Sequence, residues 1–198
     1  MEERSFLIDC GEGTQVQLRK AKARFSKINN IFISHLHGDH CFGLPGLIAS
    51  FRLLGREMPL NVYGPKGIKE MMETIFRITE THRGFDVIYH ELSGKTSEKI
   101  YEDNRVEVYT IPLDHRIYCN GYLFKEKPKE RHLNMQEISK YSEIETCDYH
   151  NLKLGKDFIL SDGYVLKNSV LTNEPTKSVS YAFCSDTRYI ENVVKKKK

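Results

Sequence analysis

An α/β fold is the class this sequence predicts. Short apolar runs with strand character alternate along the chain with segments of helical spacing, and no internal repeat interrupts the alternation. A third observation bears on function as well. One strand-like run ends directly in SHLHGDHCFG (34–43), which gathers His35, His37, Asp39 and His40 in a chain of only eight histidines.

In order, SFLIDC (5–10) reads as a buried strand, GEGT (11–14) as a turn, and TQVQLRKAKARF (14–25) as a helix with a basic face. INNIFIS (28–34) is a second strand, followed by a helix over LPGLIASFRLLG (44–55) that Gly55 closes. PLNVYGP (59–65) is a strand ending in a turn, and GIKEMMETIFRIT (67–79) an amphipathic helix. FDVIYHEL (85–92) and RVEVYTIPL (105–113) alternate apolar and polar residues, as strands with one buried face do, and GYLFKE (121–126) is a further strand. From Lys127 to Asn151 the chain turns polar and lysine-rich, with a short helix over NMQEISKY. KDFILSDGYVLK reads as a hairpin turning at Asp162-Gly163. SVSYAFCSD (178–186) is a strand, and TRYIENVVKKKK begins a helix.

The bulk numbers fit one soluble domain over 1–198, with 39% hydrophobic and 29% charged residues. No apolar run is long enough for a membrane helix, and the start lacks the basic and apolar regions of a secretory signal. The five cysteines are scattered, without CxxC spacing, which points to a reducing, cytoplasmic setting and away from a disulfide scaffold. A net charge of +3 permits a polyanionic partner without demanding one.

The histidine cluster carries the chemistry. Residues two apart on an extended strand point to the same side, so His35 and His37 can reach one metal ion. Asp39 and His40 follow in a turn that Gly38 allows to fold sharply, where they can serve a neighbouring site. Imidazole with carboxylate suits Zn²⁺ and allows Mn²⁺ or Fe²⁺. One loop cannot complete two metal sites, so ligands must come from afar. His115 in PLDHRIYCNGY and Asp186 in CSDTR both follow strands, and a carboxylate at 186 could bridge two ions. His82, His90, His132 and His150 lack that context and read as surface or strand residues. Asp9, ending the first strand, is placed to brace the metal loop through hydrogen bonds. GEGT is too short for a dinucleotide fingerprint.

Together, DCGEGTQ, SHLHGDHCFGLPGL, VYGPKGI, PLDHRIYCNGY and CSDTR resemble the tRNase Z (ribonuclease Z) family of the metallo-β-lactamase superfamily. The resemblance covers nearly the whole chain and is weakest between Lys127 and Thr176. It implies a metallo-β-lactamase-like αββα sandwich and a zinc-dependent endoribonuclease. That enzyme removes the 3′ trailer from precursor tRNA, leaving a 3′-OH on the tRNA and a 5′-phosphate on the trailer. It further implies two Zn²⁺ ions. His35, His37 and His115 would hold one, Asp39 and His40 the other, with Asp186 bridging and Asp39 accepting a proton. Arg188 is a candidate phosphate contact. Residues 127–151 stand where the family carries a tRNA-gripping arm, with Lys125, Lys127, Lys129 and Arg131 as candidate contacts, although the Gly-x-Pro signature of such arms is absent. A homodimer and a cytoplasmic location follow from the same likeness.

The resemblance also implies a chain truncated at both ends. Only MEER precedes the DCGEGTQ strand, and nothing after CSDTR matches the family's His-Glu-Ala-Thr segment, His-Ser-Thr loop or final zinc-binding histidine. The second half of the sandwich is therefore expected to be incomplete, with apolar sheet surface exposed and the second zinc short of a ligand. Two other readings stay open at this point. One is another metallo-β-lactamase-fold hydrolase, acting on small phosphodiesters, thioesters or lactams. The other is a truncated, non-catalytic chain that binds tRNA or a partner.

Overall fold

Parallel strands with buried faces on both sides place the histidine loop. The computed structural model describes residues 5–82 and 84–191. The MEER start and the terminal lysine run lie outside the described residues. In chain order the elements are β1 (Ser5–Ile8), α1 (Thr14–Lys20), a 3-10 turn (Phe25–Lys27), β2 (Ile28–Phe32), α2 (Gly38–Cys41), α3 (Leu44–Leu53), β3 (Leu60–Pro65), α4 (Ile68–Ile78) and β4 (Val87–Leu92). There follow β5 (Lys99–Glu102), β6 (Val106–Pro112), β7 (Asn120–Glu126), β8 (His132–Leu133), α5 (Met135–Ile138) and α6 (Tyr149–Lys153). The last are β9 (Phe158–Ile159), β10 (Val165–Leu166), α7 (Asn168–Leu171), β11 (Thr172–Asn173) and β12 (Ser180–Phe183).

One four-stranded sheet runs β1-β2-β3-β4, and every neighbouring pair in it is parallel. A second runs β12-β7-β6-β5. In a parallel sheet all strands end at one edge. The pairing of Ile8 with Phe32 therefore sets Asp9, just past β1, beside the residues leading from β2 into the histidines.

The chain divides into two compact units. One is built from the described residues of Met1–Ile100, Val108–Leu123 and Ala182–Lys198, and the other from Tyr101–Glu107 and Phe124–Tyr181. In the first unit, Leu44, Leu47, Ile48, Phe51, Ile68 and Met72 from α3 and α4 form one core with Ile31, Ile33, Leu60 and Val62 of the sheet. Each such side chain contributes on the order of 1.5–3 kcal/mol by leaving water. Phe32 is also fully buried, and its ring stacks on Tyr63 at 4.8 Å and meets Tyr122 of β7 at 5.3 Å. The Tyr122 hydroxyl donates to the Ile33 carbonyl at 2.6 Å. Within the first unit the parallel sheet thus packs its helices on one face and Tyr122 on the other.

The second unit has its own small core of Ile138, Ile144, Leu152, Leu166 and Leu171. Asn168 knits its loops, with Nδ2 donating to the carbonyls of Leu152 and Lys156, both at 2.8 Å. The polar stretch 127–151 therefore buries apolar residues at Ile138 and Ile144. The hairpin expected at Asp162-Gly163 forms as the antiparallel β9–β10 pair, with Gly163 at φ 84°.

Two elements differ from expectation. The helix expected over 14–25 stops at Lys20, because Lys22 enters the left-handed region at φ 54° and a 3-10 turn follows. β5 was hidden by its charged surroundings, KTSEKIYEDNR, since only Ile100 and Tyr101 within it turn partly inward. Residues 187–190 are irregular, and the rest of the helix expected there falls on 192–198, outside the described residues.

Close backbone approach explains the glycines flanking the histidine loop. Cys10 N–H donates to the His40 carbonyl at 2.7 Å, and Gly43 N–H donates to the Cys10 carbonyl at 2.8 Å. A Cβ on Gly43 would lie 2.0 Å from the Gly11 oxygen, and one on Gly11 would lie 2.2 Å from the Asp39 oxygen. Both obstacles are backbone and cannot swing aside. Gly43→Ala is expected to cost about 2–3 kcal/mol, lowering the melting midpoint by about 5–10 °C. Gly13→Ala, whose Cβ would meet nothing within 4 Å, should leave the midpoint nearly unchanged. Equal midpoints for the two variants in a thermal melt would refute the packing argument.

Candidate metal centre

Asp9 organises the site from the end of β1. Its backbone is left-handed at φ 57°, a conformation Asp tolerates better than most residues. Oδ1 accepts from Ser34 N–H at 2.7 Å, while Oδ2 accepts from Ser34 Oγ at 2.9 Å and from His40 Nδ1 at 2.8 Å. With its proton given to Asp9, the Ser34 hydroxyl accepts from His35 Nδ1 at 3.0 Å. These bonds set tautomers. His35 and His40 each carry their proton on Nδ1, leaving the Nε2 lone pair to face inward.

Those lone pairs converge. His35 Nε2 lies 3.0 Å from His37 Nδ1, and His115 Nε2 lies 3.3 Å from the same Nδ1. The Asp186 carboxylate sits 3.9 Å from His35 Nε2. The ligand atoms of His35, His37, His115 and Asp186 all lie within 4.8 Å of one another. A second group shares Asp186, because His40 Nε2 lies 3.3 Å from Asp39 Oδ2 and 3.9 Å from Asp186 Oδ2. A proton on His37 Nδ1 can bridge only one of these close contacts, and a cation among the nitrogens and carboxylates relieves the others. Metal–nitrogen bonds of about 2.0–2.1 Å at tetrahedral angles put ligand nitrogens about 3.3 Å apart, so the donor set fits a metal ion.

The surrounding electrostatics suit ligation. Burial, then the neighbouring His40 and His37, hold the His35 pKa below its ordinary value, keeping that fully buried ring neutral. Burial also pulls on His40, but the Asp9 hydrogen bond and the charges of Asp9, Asp39 and Asp186 outweigh it and hold its pKa up. The buried thiols nearby are not ligands. Burial pushes Cys41 up to about 11, and its Sγ donates to the His37 carbonyl at 3.2 Å. Cys119 donates to the Asp186 carbonyl at 3.6 Å, which helps seat that loop.

The structure thus brings His35, His37, Asp39, His40, His115 and Asp186 into two groups that share Asp186. Arg188 is exposed, and its main-chain N–H donates to the Asp114 carbonyl at 2.8 Å. Lys127, Lys129 and Arg131 belong to the second unit, where they pair with Glu102, Glu126 and Glu174. His82, His132 and His150 are exposed, and His90 stacks on Tyr63 at 4.2 Å. The sequence reading missed Ser34, which fixes the His35 tautomer, and Arg116, whose Nη2 lies 3.4 Å from His37 Nε2. Adjacency was the available signal, since Ser34 precedes His35 and Arg116 follows His115.

Two curated relatives match almost end to end on this chain. Ribonuclease Z from Bacteroides fragilis is 41% identical over 195 residues, and that from Bacteroides thetaiotaomicron is 42% identical over 194. Each match takes in 98% of this chain. The chain is a homologue of ribonuclease Z. It spans 64% and 61% of those two relatives' lengths. Human tRNase Z, short form, superposes with a TM-score of 0.59 at 33% identity, over 65% of this chain and 57% of the human one. A long-form RNase Z from yeast shares the fold, with a TM-score of 0.53 at 18% identity over 66% of this chain and 24% of its own. The fold is therefore the metallo-β-lactamase type of the ribonuclease Z structures. A family model described as anti-Pycsar protein Apyc1 matches residues 1–75, the part that carries the histidine loop. The ribonuclease Z likeness extends past it through His115 and Asp186.

Proposed function

We propose that this chain carries the metal centre of a zinc-dependent endoribonuclease. It removes the 3′ trailer from precursor tRNA, leaving a 3′-OH on the tRNA and a 5′-phosphate on the trailer. One observation carries the reading. Imidazoles from two distant loops, with a carboxylate from a third, converge at ligand spacing on a chain homologous to ribonuclease Z.

His35, His37 and His115 would hold one zinc, Asp39 and His40 the other, with Asp186 between them. Bound zinc supplies Lewis-acid activation of water and neutralisation of phosphoryl charge. Asp39 is open to solvent, with 74% of its side chain exposed, and accepts the proton of the attacking water. Asp9 and Ser34 hold His40 and His35 in the ligating tautomers. Arg188, on the loop that pairs with Asp114, contacts phosphate. In the 127–151 arm, Lys127, Lys129 and Arg131 exchange their carboxylate partners Glu102, Glu126 and Glu174 for tRNA phosphates. The working state on this reading is a cytoplasmic homodimer. The free cysteines accord with a reducing compartment, and among the described residues no helix is long and apolar enough to cross a membrane.

The test is cleavage of a precursor tRNA bearing a trailer, with and without chelator, beside bis(p-nitrophenyl) phosphate. The expected result is metal-dependent release of the trailer and poor turnover of the small diester. A metal-loaded chain that hydrolyses only the small diester is a different phosphodiesterase. One that binds tRNA without turnover is a binding protein.

A further inference from the structure

The geometry points to Arg116 as a further substrate-binding residue, one that takes a non-bridging oxygen of the phosphodiester at the metal centre. This rests on the endoribonuclease reading above. Arg116 Nη2 lies 3.4 Å from His37 Nε2. The other nitrogen of that ring, Nδ1, faces His35 Nε2 at 3.0 Å and His115 Nε2 at 3.3 Å. When Nδ1 gives its lone pair to a metal, a neutral His37 carries its proton on Nε2. A guanidinium has donors only, so Nε2–H and Arg116 then face each other as two donors and cannot bond. Metal loading thus frees an exposed guanidinium at the rim of the centre, where the cations also disfavour it. An anion resolves both conflicts, and guanidinium matches phosphate oxygens in a planar fork.

A second observation places this residue beside the other candidate phosphate contact. Asp114 N–H donates to Thr187 Oγ1 at 3.1 Å, and Arg188 N–H donates to the Asp114 carbonyl at 2.8 Å. The loops bearing Arg116 and Arg188 are therefore stapled together next to Asp186.

The experiment compares Arg116→Ala with the parent, both zinc-loaded and both in an Asp39→Ala background so that RNA stays intact. Anisotropy reads binding to precursor tRNA with a trailer and to mature tRNA without one, across salt concentrations. Elemental analysis reads zinc per chain. Expected are an unchanged zinc content, a loss of about ten-fold in affinity for precursor only, and a salt slope shallower by about 0.7–1. Arg116→Lys should recover part of the slope but little of the affinity. Equal precursor binding by parent and variant overturns the Arg116 assignment alone. Reduced zinc in the variant also overturns it, because Arg116 would then be supporting His37. A parent that binds neither RNA overturns the assignment and the endoribonuclease reading together.

Discussion

His115→Ala is expected to empty much of the metal centre while leaving the fold intact. His115 reaches the cluster from 78 residues away, and its Nε2 lies 3.3 Å from His37 Nδ1. The residue sits in the irregular segment between β6 and β7, outside the apolar core, so the two sheets do not depend on it. Outer-shell partners of metal ligands typically cost 10–100-fold in affinity when removed, and losing a ligand must cost more. Zinc affinity should therefore fall by more than about 100-fold, measured by competition with a chromogenic chelator. Under the proposed reaction, cleavage should fall beyond the roughly 10²–10³-fold typical of losing one transition-state donor. His90→Ala is the control, since His90 bonds Asn61 at 2.9 Å and takes no part in the cluster. Undiminished zinc binding by His115→Ala would refute the convergence.

Asp9→Asn is expected to damage the proposed second metal position by turning an acceptor into a donor. The substitution is nearly isosteric and Asn tolerates positive φ, so stability should fall by only about 1–2 kcal/mol. Ser34 N–H can still donate to the remaining carbonyl oxygen. The atom facing His40 Nδ1 at 2.8 Å becomes a donor, however, and turns the imidazole to the tautomer with its proton on Nε2. That proton then occupies the atom that faces Asp39 at 3.3 Å and Asp186 at 3.9 Å. A 10–100-fold loss of affinity at this position is expected. Because the same oxygen also accepts from Ser34 Oγ at 2.9 Å, the Ser34 hydroxyl then turns its proton toward His35 Nδ1, and the His35, His37 and His115 position weakens as well. Two-step zinc titration calorimetry separates the two.

The metal-free protein should also show a pH signature. Despite the opposing pull of burial, Asp9 helps hold the His40 pKa above 6.5, so the native state binds its proton more tightly than the unfolded chain does. The resulting stability is fully present below pH 6.5 and is lost as pH rises through the raised native value. Asp9→Asn should therefore cost most stability in acid, with the gap to the parent narrowing toward alkaline pH. A constant gap across that range in denaturant titrations would show that His40 is not the coupled group.

Much of this could be read along the chain because it is local. Short apolar runs marked β2, β3 and β7, alternation of two marked β4 and β6, and helical spacing marked α3 and α4. The pair His35 and His37 needed only strand geometry, and Asp162-Gly163 only turn chemistry. β5 escaped because four residues rich in charge carry too little apolar pattern, and its pairing partner supplies the reason it is a strand. The internal core of the second unit escaped for a similar reason, as Ile138 and Ile144 stand alone in a charged stretch and meet Leu152, Leu166 and Leu171 only in three dimensions.

The sequence by itself determined the fold class, the family likeness and the identity of the residues able to bind metal. Side-chain type and short-range spacing are properties of the chain, and they need no partner. Only the tertiary structure decided which nitrogen each histidine offers, that Asp186 is shared between two groups, that Ser34 and Asp9 set the tautomers, and that Arg116 stands against His37. These are matters of distance between residues far apart in sequence. Ring orientation and protonation follow from whichever donor or acceptor the fold brings within about 3 Å.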